Sequence, residues 1–176
     1  MIFRPLELSG AYEVVIEPRA DHRGAFSRVF CVEEFQNLGL NTEFVQTNLS
    51  WNDRAGTLRG LHMQRPPMGE VKLVRCTRGA VYDVIVDLRS DSETFMKWVG
   101  LELVADKRNA IYVPEGFAHG YQALTDGAEV FYMVSRRYAP GYEVGYRWDD
   151  PAWRIEWPMA NPVLSEKDAS HGNFKV

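Results

Sequence analysis

About ten short runs rich in β-branched and aromatic residues recur along the chain, punctuated by Gly, Asp, Asn and Pro, with no helices alternating between them. They are Tyr12–Glu17, Ala25–Cys31, Glu43–Trp51, Thr57–Gln64, Val71–Thr77, Ala80–Leu88, Phe95–Leu103, Ala110–Val113, Phe117–Thr125 and Ala128–Arg136. Parallel strands need a crossover between neighbours, most often a helix, and these connections are too short for one. The pattern therefore predicts an all-β fold, a β-sandwich or jelly roll. Arg78-Gly79 and Asp126-Gly127 are read as hairpin turns joining the runs on either side. Val32–Leu38 reads as a helix that Gly39 ends.

The 176 residues suit one domain, 1–176, with no repeat or linker to divide it. From Asp149 onward the character changes. Asp149-Asp150-Pro151, Trp153, Trp157-Pro158 and Asn161-Pro162 read as an extended, aromatic-rich segment wrapping the body. Ser165-Glu-Lys-Asp168 reads as a helical turn with Ser165 as its cap. A net charge of −4 argues against a nucleic-acid surface. Cys31 and Cys76 lie in apolar runs and read as buried free thiols. No apolar run is long enough to span a membrane and no signal-peptide pattern opens the chain, so the cytoplasm is the expected location.

Leu58-Arg-Gly-Leu-His-Met-Gln64 and Lys72 place an arginine, a histidine and a lysine where a sheet protein fills its core. Buried groups of this kind cost stability unless they are paired or used. Alternation puts Phe117, His119 and Tyr121 on one face, and likewise Val130, Tyr132 and Val134; Asp83, Ile85 and Asp87; and Lys72, Val74 and Cys76. His62 and Arg59 fall on opposite faces unless the strand carries a bulge, for which Gly60 is the natural place. Singly, each residue has an ordinary structural explanation: a satisfied histidine, an aromatic filler, a lysine that snorkels to solvent. Together they suggest a polar cavity. Asp83 is the candidate to orient His119, from an expected hairpin pairing near Lys72. Pro114-Glu-Gly-Phe-Ala-His119 resembles the second motif of the cupins, whose metal-binding members usually supply a His-x-His pair and a carboxylate from the first. Gly60-Leu-His62-Met-Gln64 has one histidine, so no metal is expected.

The sequence as a whole resembles the dTDP-4-dehydrorhamnose 3,5-epimerase family of nucleotide-sugar epimerases. The resemblance runs from Asp21-His-Arg-Gly24 to Ser165-Glu-Lys-Asp168. It is carried by Phe44-Val-Gln-Thr-Asn48, Leu58-Arg-Gly-Leu-His62, Pro66-Pro67, Lys72-Leu-Val-Arg75, Asp83 with Asp87-Leu-Arg89, Pro114 to Gly120, Tyr132, Tyr138-Ala-Pro140 and Trp148-Asp-Asp-Pro151. It implies a cupin-type jelly roll, a homodimer with a subunit-shared active site, no metal and no organic cofactor. The implied substrate is a nucleotide-linked 4-keto-6-deoxyhexose, inverted at the carbons flanking the ketone. By the same resemblance His62 is the base, Asp168 its partner, Lys72 the cation at the keto oxygen and Tyr132 the acid on the opposite face. Arg59, His119 and Tyr138 would line the sugar and diphosphate site and Gln46 and Asn48 add polar contacts, while Arg23 and Phe26 would reach in from the neighbouring subunit.

The chain departs from the family at Arg28, where the family's Arg-Gly-x-Phe motif is followed by a glutamate that can accept the N3–H of thymine. Arginine is donor-only. The substitution predicts either a CDP- or GDP-linked substrate, or an Arg28 turned away to a phosphate or a surface carboxylate. Met63 replaces a usual tyrosine and Glu70 a usual glutamine, the latter within reach of Lys72 or Arg75. Neither change removes a catalytic group. Relatives with the same histidine, lysine and tyrosine invert only C3, so a C3-epimerase or a 3,4-ketoisomerase are the nearest alternatives. A non-catalytic sugar-binding jelly roll would have a damaged base or acid position, and all four residues are present.

Overall fold

The computed structural model describes residues 1–175, and its strands use their apolar alternation to seal two sheets against each other. In chain order the elements are β1 (Ile2–Pro5), β2 (Tyr12–Val15), β3 (Arg19–Asp21), β4 (Gly24–Phe26), α1 (Val32–Gln36), β5 (Gln46–Asn52), β6 (Leu58–Gln64) and β7 (Lys72–Arg78). They continue with β8 (Ala80–Asp87), β9 (Trp98–Val104), β10 (Ala110–Val113), β11 (Phe117–Ala123), β12 (Ala128–Val134), β13 (Glu143–Gly145) and α2 (Glu166–Ala169). A six-stranded sheet runs β1-β2-β10-β7-β12-β5, a five-stranded sheet runs β13-β6-β11-β8-β9, and β3 and β4 make a separate hairpin. Neighbours in all three are antiparallel. This is a jelly-roll sandwich.

Val74 and Cys76 of β7, Ile111 and Val113 of β10 and Val130 of β12 face Ile85 of β8 and Phe117 and Tyr121 of β11 across the sandwich. The alternate residues of the five-stranded sheet, Leu61, Val84, Val86 and Ala118, are also buried, because Trp153, Ile155, Trp157 and Phe174 cover them. The segment after β13 thus supplies an outer layer and carries α2 back to β6. On the other sheet Phe35 of α1 is fully buried against Val14, Leu73 and Tyr112. Burying a side chain of this size is worth about 1.5–3 kcal/mol, enough to hold a helix too short to stand alone.

Both expected hairpins are corners instead. β7 pairs with β10 and β12 while β8 pairs with β11 and β9, so the chain changes sheets at Gly79. It changes sheets again between β11 and β12 at Gly127. Both glycines have positive φ, +71° and +64°. A Cβ on Gly79 would lie 2.1 Å from Thr125 Oγ1, so the two corners pack together. The turn signals were correct; the strands they join belong to different sheets. No described helix is long and apolar enough to cross a membrane.

Candidate active site

The site is assembled around one irregularity in β6. His119 of β11 stands opposite His62, and Tyr121 stands opposite Arg59. Two steps along β11 therefore match three along β6, and the extra residue is a bulge at Gly60–Leu61. Gly60 has φ +122°, and a Cβ there would lie 2.6 Å from the Gly120 Cα. Only glycine fits. The bulge brings Arg59 to the same face as His62, where both line a cavity of about 320 Å³. Lys72 at the head of β7, Tyr132 on β12, and His119 and Tyr121 on β11 complete its sheet walls. Asp168 closes it from α2. An adjoining cavity of about 200 Å³ shares His62, Lys72 and Tyr132 and adds Gln46, Asn48 and Tyr138.

Two histidine–carboxylate pairs stand in the main cavity. His62 Nε2 lies 2.6 Å from Asp168 Oδ1, across 106 residues of sequence. Ser165 caps α2 by accepting the Asp168 backbone N–H at 3.0 Å, fixing where that carboxylate points. Burial pushes the His62 imidazole below its ordinary value; Asp168 opposes the shift and the Lys72 charge reinforces it. With Nε2 on the carboxylate, Nδ1 is left as the nitrogen that can take a proton. The second pair is His119 Nε2 and Asp83 Oδ2, 2.8 Å apart, with Asp83 wholly buried. The orienting partner inferred for His119 is thus in contact with it, although Asp83 pairs with Tyr121 and not with Lys72's strand.

Lys72 Nζ lies 3.2 Å from Glu70 Oε1, with both side chains largely buried. Burial raises the Tyr132 phenol, which keeps it protonated and able to donate at neutral pH. Arg59 is held by Asn52 Oδ1 at 2.9 Å and the Trp51 carbonyl at 3.2 Å. Gln46 donates to Asn48 at 2.7 Å, and the Tyr138 hydroxyl donates to Glu143 at 3.3 Å.

Arg23, Phe26 and Arg28 stand apart. Arg23 pairs with Asp21 at 2.7 Å on the exposed β3–β4 hairpin, and Phe26 is 71% exposed. Arg28 Nη1 lies 3.5 Å from Glu34 Oε1, the turned-away arrangement. Phe26 and Arg28 border a larger cavity of about 490 Å³, lined also by Glu17 and Glu34. Charged residues line it and no histidine is among its lining residues, so it offers no imidazole base.

Sequence reasoning missed four neighbours of the site. Tyr121 shares the face already assigned to His119, and its hydroxyl bonds Ser50 Oγ at 2.8 Å. Lys167 and Glu143 pair at 2.6 Å, tying α2 to β13. His171, in the segment after α2, stands beside Asp168 with its Nε2 at 3.6 Å from Oδ1; no local pattern marked it. A base, a fixed cation and a neutral acid around one cavity suit proton transfer at a carbon made acidic by a carbonyl.

The model of the dTDP-4-dehydrorhamnose 3,5-epimerase family matches residues 5–175. The chain belongs to that family. The epimerase of Shigella flexneri is 44% identical over 164 residues, covering 92% of this chain and 90% of its own. The dTDP-4-dehydrorhamnose 3-epimerase of Streptomyces niveus is 41% identical, over 96% of this chain and 81% of its own. A crystal structure of the Bacillus anthracis dTDP-4-dehydrorhamnose 3,5-epimerase, with TDP and pyrophosphate bound, superposes with a TM-score of 0.95 at 38% identity, covering 98% of this chain and 99% of that one. The chain is thus an isomerase-class enzyme with the jelly roll of its nucleotide-sugar epimerase relatives.

Proposed function

We propose that this epimerase inverts C3 and C5 of a dTDP-linked 4-keto-6-deoxyhexose, with His62 as base and Tyr132 as acid. The observation that carries the assignment is the His62–Asp168 pair, which shares its cavity with Lys72 and Tyr132. His62 Nδ1 takes the proton from the carbon beside the ketone, and the bond's electrons pass to the C4 oxygen. Lys72 stabilises the resulting enolate, a contribution on the order of 10²–10³ in rate for a preorganised group at a developing oxyanion. Tyr132 returns a proton to the opposite face, inverting the centre. The enolate collapses to the ketone, and solvent then reprotonates the phenolate and takes the proton from the imidazolium. Asp168 fixes the His62 tautomer and stabilises the imidazolium. These groups supply every proton and charge the reaction needs, so no metal or organic cofactor is invoked.

Arg59, His119 and Tyr138, with Gln46 and Asn48, are assigned to the sugar and diphosphate. The working unit is a homodimer. Both strands of the β3–β4 hairpin are exposed and lie outside the two main sheets, which suits Arg23 and Phe26 to a neighbour's cavity. Arg28, held near Glu34, is not assigned to the base, which favours dTDP over CDP and GDP. The reaction belongs to cytoplasmic deoxysugar biosynthesis. A second reading, inversion at C3 alone, is favoured by the 41% identity to a 3-epimerase.

Proton NMR in D₂O with dTDP-, CDP- and GDP-linked 4-keto-6-deoxyglucose separates these readings. Deuterium at both C3 and C5 of the dTDP sugar is expected. Exchange at C3 alone selects the second reading, a carbonyl moved to C3 indicates a ketoisomerase, and no exchange from folded protein rejects epimerase function.

A further inference from the structure

His171 has no part in the proton transfers above, yet it is built into the site. Its Nε2 is shut off from solvent and has no hydrogen-bond partner among the described residues. A buried polar atom left unpaired calls for a partner, often a water or an ion. The ring occupies space that the sequence leaves open for it. Gly145 stands opposite His62 in the β13–β6 pairing, and a Cβ there would lie 2.1 Å from His171 Nε2. The two imidazoles meet edge to face at 81°, with centroids 5.8 Å apart.

Asp168 Oδ1 lies 2.6 Å from His62 Nε2 and 3.6 Å from His171 Nε2, and ligand atoms of all three residues lie within 4.8 Å of one another. Around zinc, with metal–nitrogen and metal–oxygen bonds of about 2.0–2.2 Å, tetrahedral ligand atoms stand about 3.3–3.5 Å apart. The His171–Asp168 edge comes close to that spacing, and the shorter His62–Asp168 edge would open as an ion displaces the proton between them. Two imidazoles and one carboxylate make a donor set typical of zinc and its neighbours. Of the cations lining the cavity, Lys72 has Glu70 beside it and Lys167 has Glu143.

We propose that His62, Asp168 and His171 form an inhibitory site for a divalent transition metal ion of the zinc type. An ion on His62 Nε2 takes that lone pair and moves the ring proton to Nδ1. The base is then disarmed and Asp168 is withdrawn from it. Binding rests on the geometry alone, whereas inhibition rests on the reading of His62 as the base.

The test is a titration of chelator-stripped protein with Zn²⁺ against a chromogenic zinc indicator, followed by the deuterium-exchange assay at the same zinc levels. One ion per chain is expected, with a dissociation constant in the micromolar range. His171→Gln should weaken it at least ~10-fold, in keeping with loss of one of three ligands. Gly145→Ala, which pushes the His171 ring out of its place, should do the same, and folding of both variants is checked by circular dichroism. Exchange should stop in the zinc-loaded wild type, return with EDTA, and persist in His171→Gln at the same zinc. Failure of the wild type to bind zinc below about 1 mM, or wild-type affinity in both variants, overturns the site. Zinc bound with exchange undiminished overturns the inhibition. No exchange in metal-free wild type rejects the function proposed above and leaves the site to the titration.

Discussion

The two histidine–carboxylate pairs have the same chemistry and different construction. His119 and Asp83 lie on neighbouring strands of one sheet, with side chains 10% and 0% exposed. His62 lies on the bulged strand, 30% exposed to the cavity, and takes its carboxylate from a four-residue helix near the chain end. Rigid sheet pairing suits a group that holds substrate in place. A base that must gain and lose protons each turnover needs solvent access and a partner that can accommodate both charge states. The difference supports the proposed division, with positioning given to the first pair and proton transfer to the second.

The largest effect should come from the second pair. His62→Asn should lower exchange at C3 and C5 by about 10²–10⁴, the usual range for a general base. Asp168→Asn should cost on the order of 10² and also move the acid limb of kcat/KM. Burial lowers the His62 pKa, so the neutral base survives below its ordinary 6.5 and the limb should lie under that value. Asp168 raises that pKa, so its removal should shift the limb to still lower pH while the rate falls. An unchanged limb would break the pairing of the two residues.

Tyr132→Phe sharpens the division of labour within the cavity. Deuterium should still wash in on the His62 face, while inverted product disappears; product NMR read beside the exchange rate checks this. His119→Asn should instead raise KM by roughly 10-fold with kcat changed less, as expected when a ground-state contact is lost.

The smallest effect on activity should come from Asp87, four residues along β8 from Asp83 on the same face. Arg89, Ser92 and Thr94 all donate to it, and those bonds outweigh its burial and hold its carboxyl at about 2. A carboxylate depressed from 3.8 to about 2 contributes stability that is present above the upper value and lost as pH falls through the lower. Asp87→Asn should therefore destabilise the fold by on the order of 2 kcal/mol at neutral pH and flatten its acid unfolding curve. Its kcat/KM should stay near wild type while it is folded. Thermal melts at neutral and acid pH provide the check.

How far all this was legible in the sequence differs between the pairs too. Strand spacing identified the sandwich, and alternation placed His119 with Tyr121 and Lys72 with Val74, because period two is a local property. Sheet membership was not legible at Gly79 and Gly127. A positive-φ glycine specifies that the chain turns, whereas the sheet it enters next depends on contacts far away in sequence. Strands β1, β3 and β13, at four, three and three residues, are too short to show a period. Arg59 was recoverable because Gly60 marked the bulge. Asp168 came only through family resemblance, since no local rule links residues 106 apart, and His171 had not even that.

The most direct test of the division between the pairs is single-turnover deuterium wash-in for His62→Asn and His119→Asn side by side, each saturated with dTDP-4-keto-6-deoxyglucose. Bound substrate should exchange in His119→Asn at close to the wild-type rate and fail to exchange in His62→Asn. Loss of exchange in His119→Asn with exchange retained in His62→Asn would contradict it.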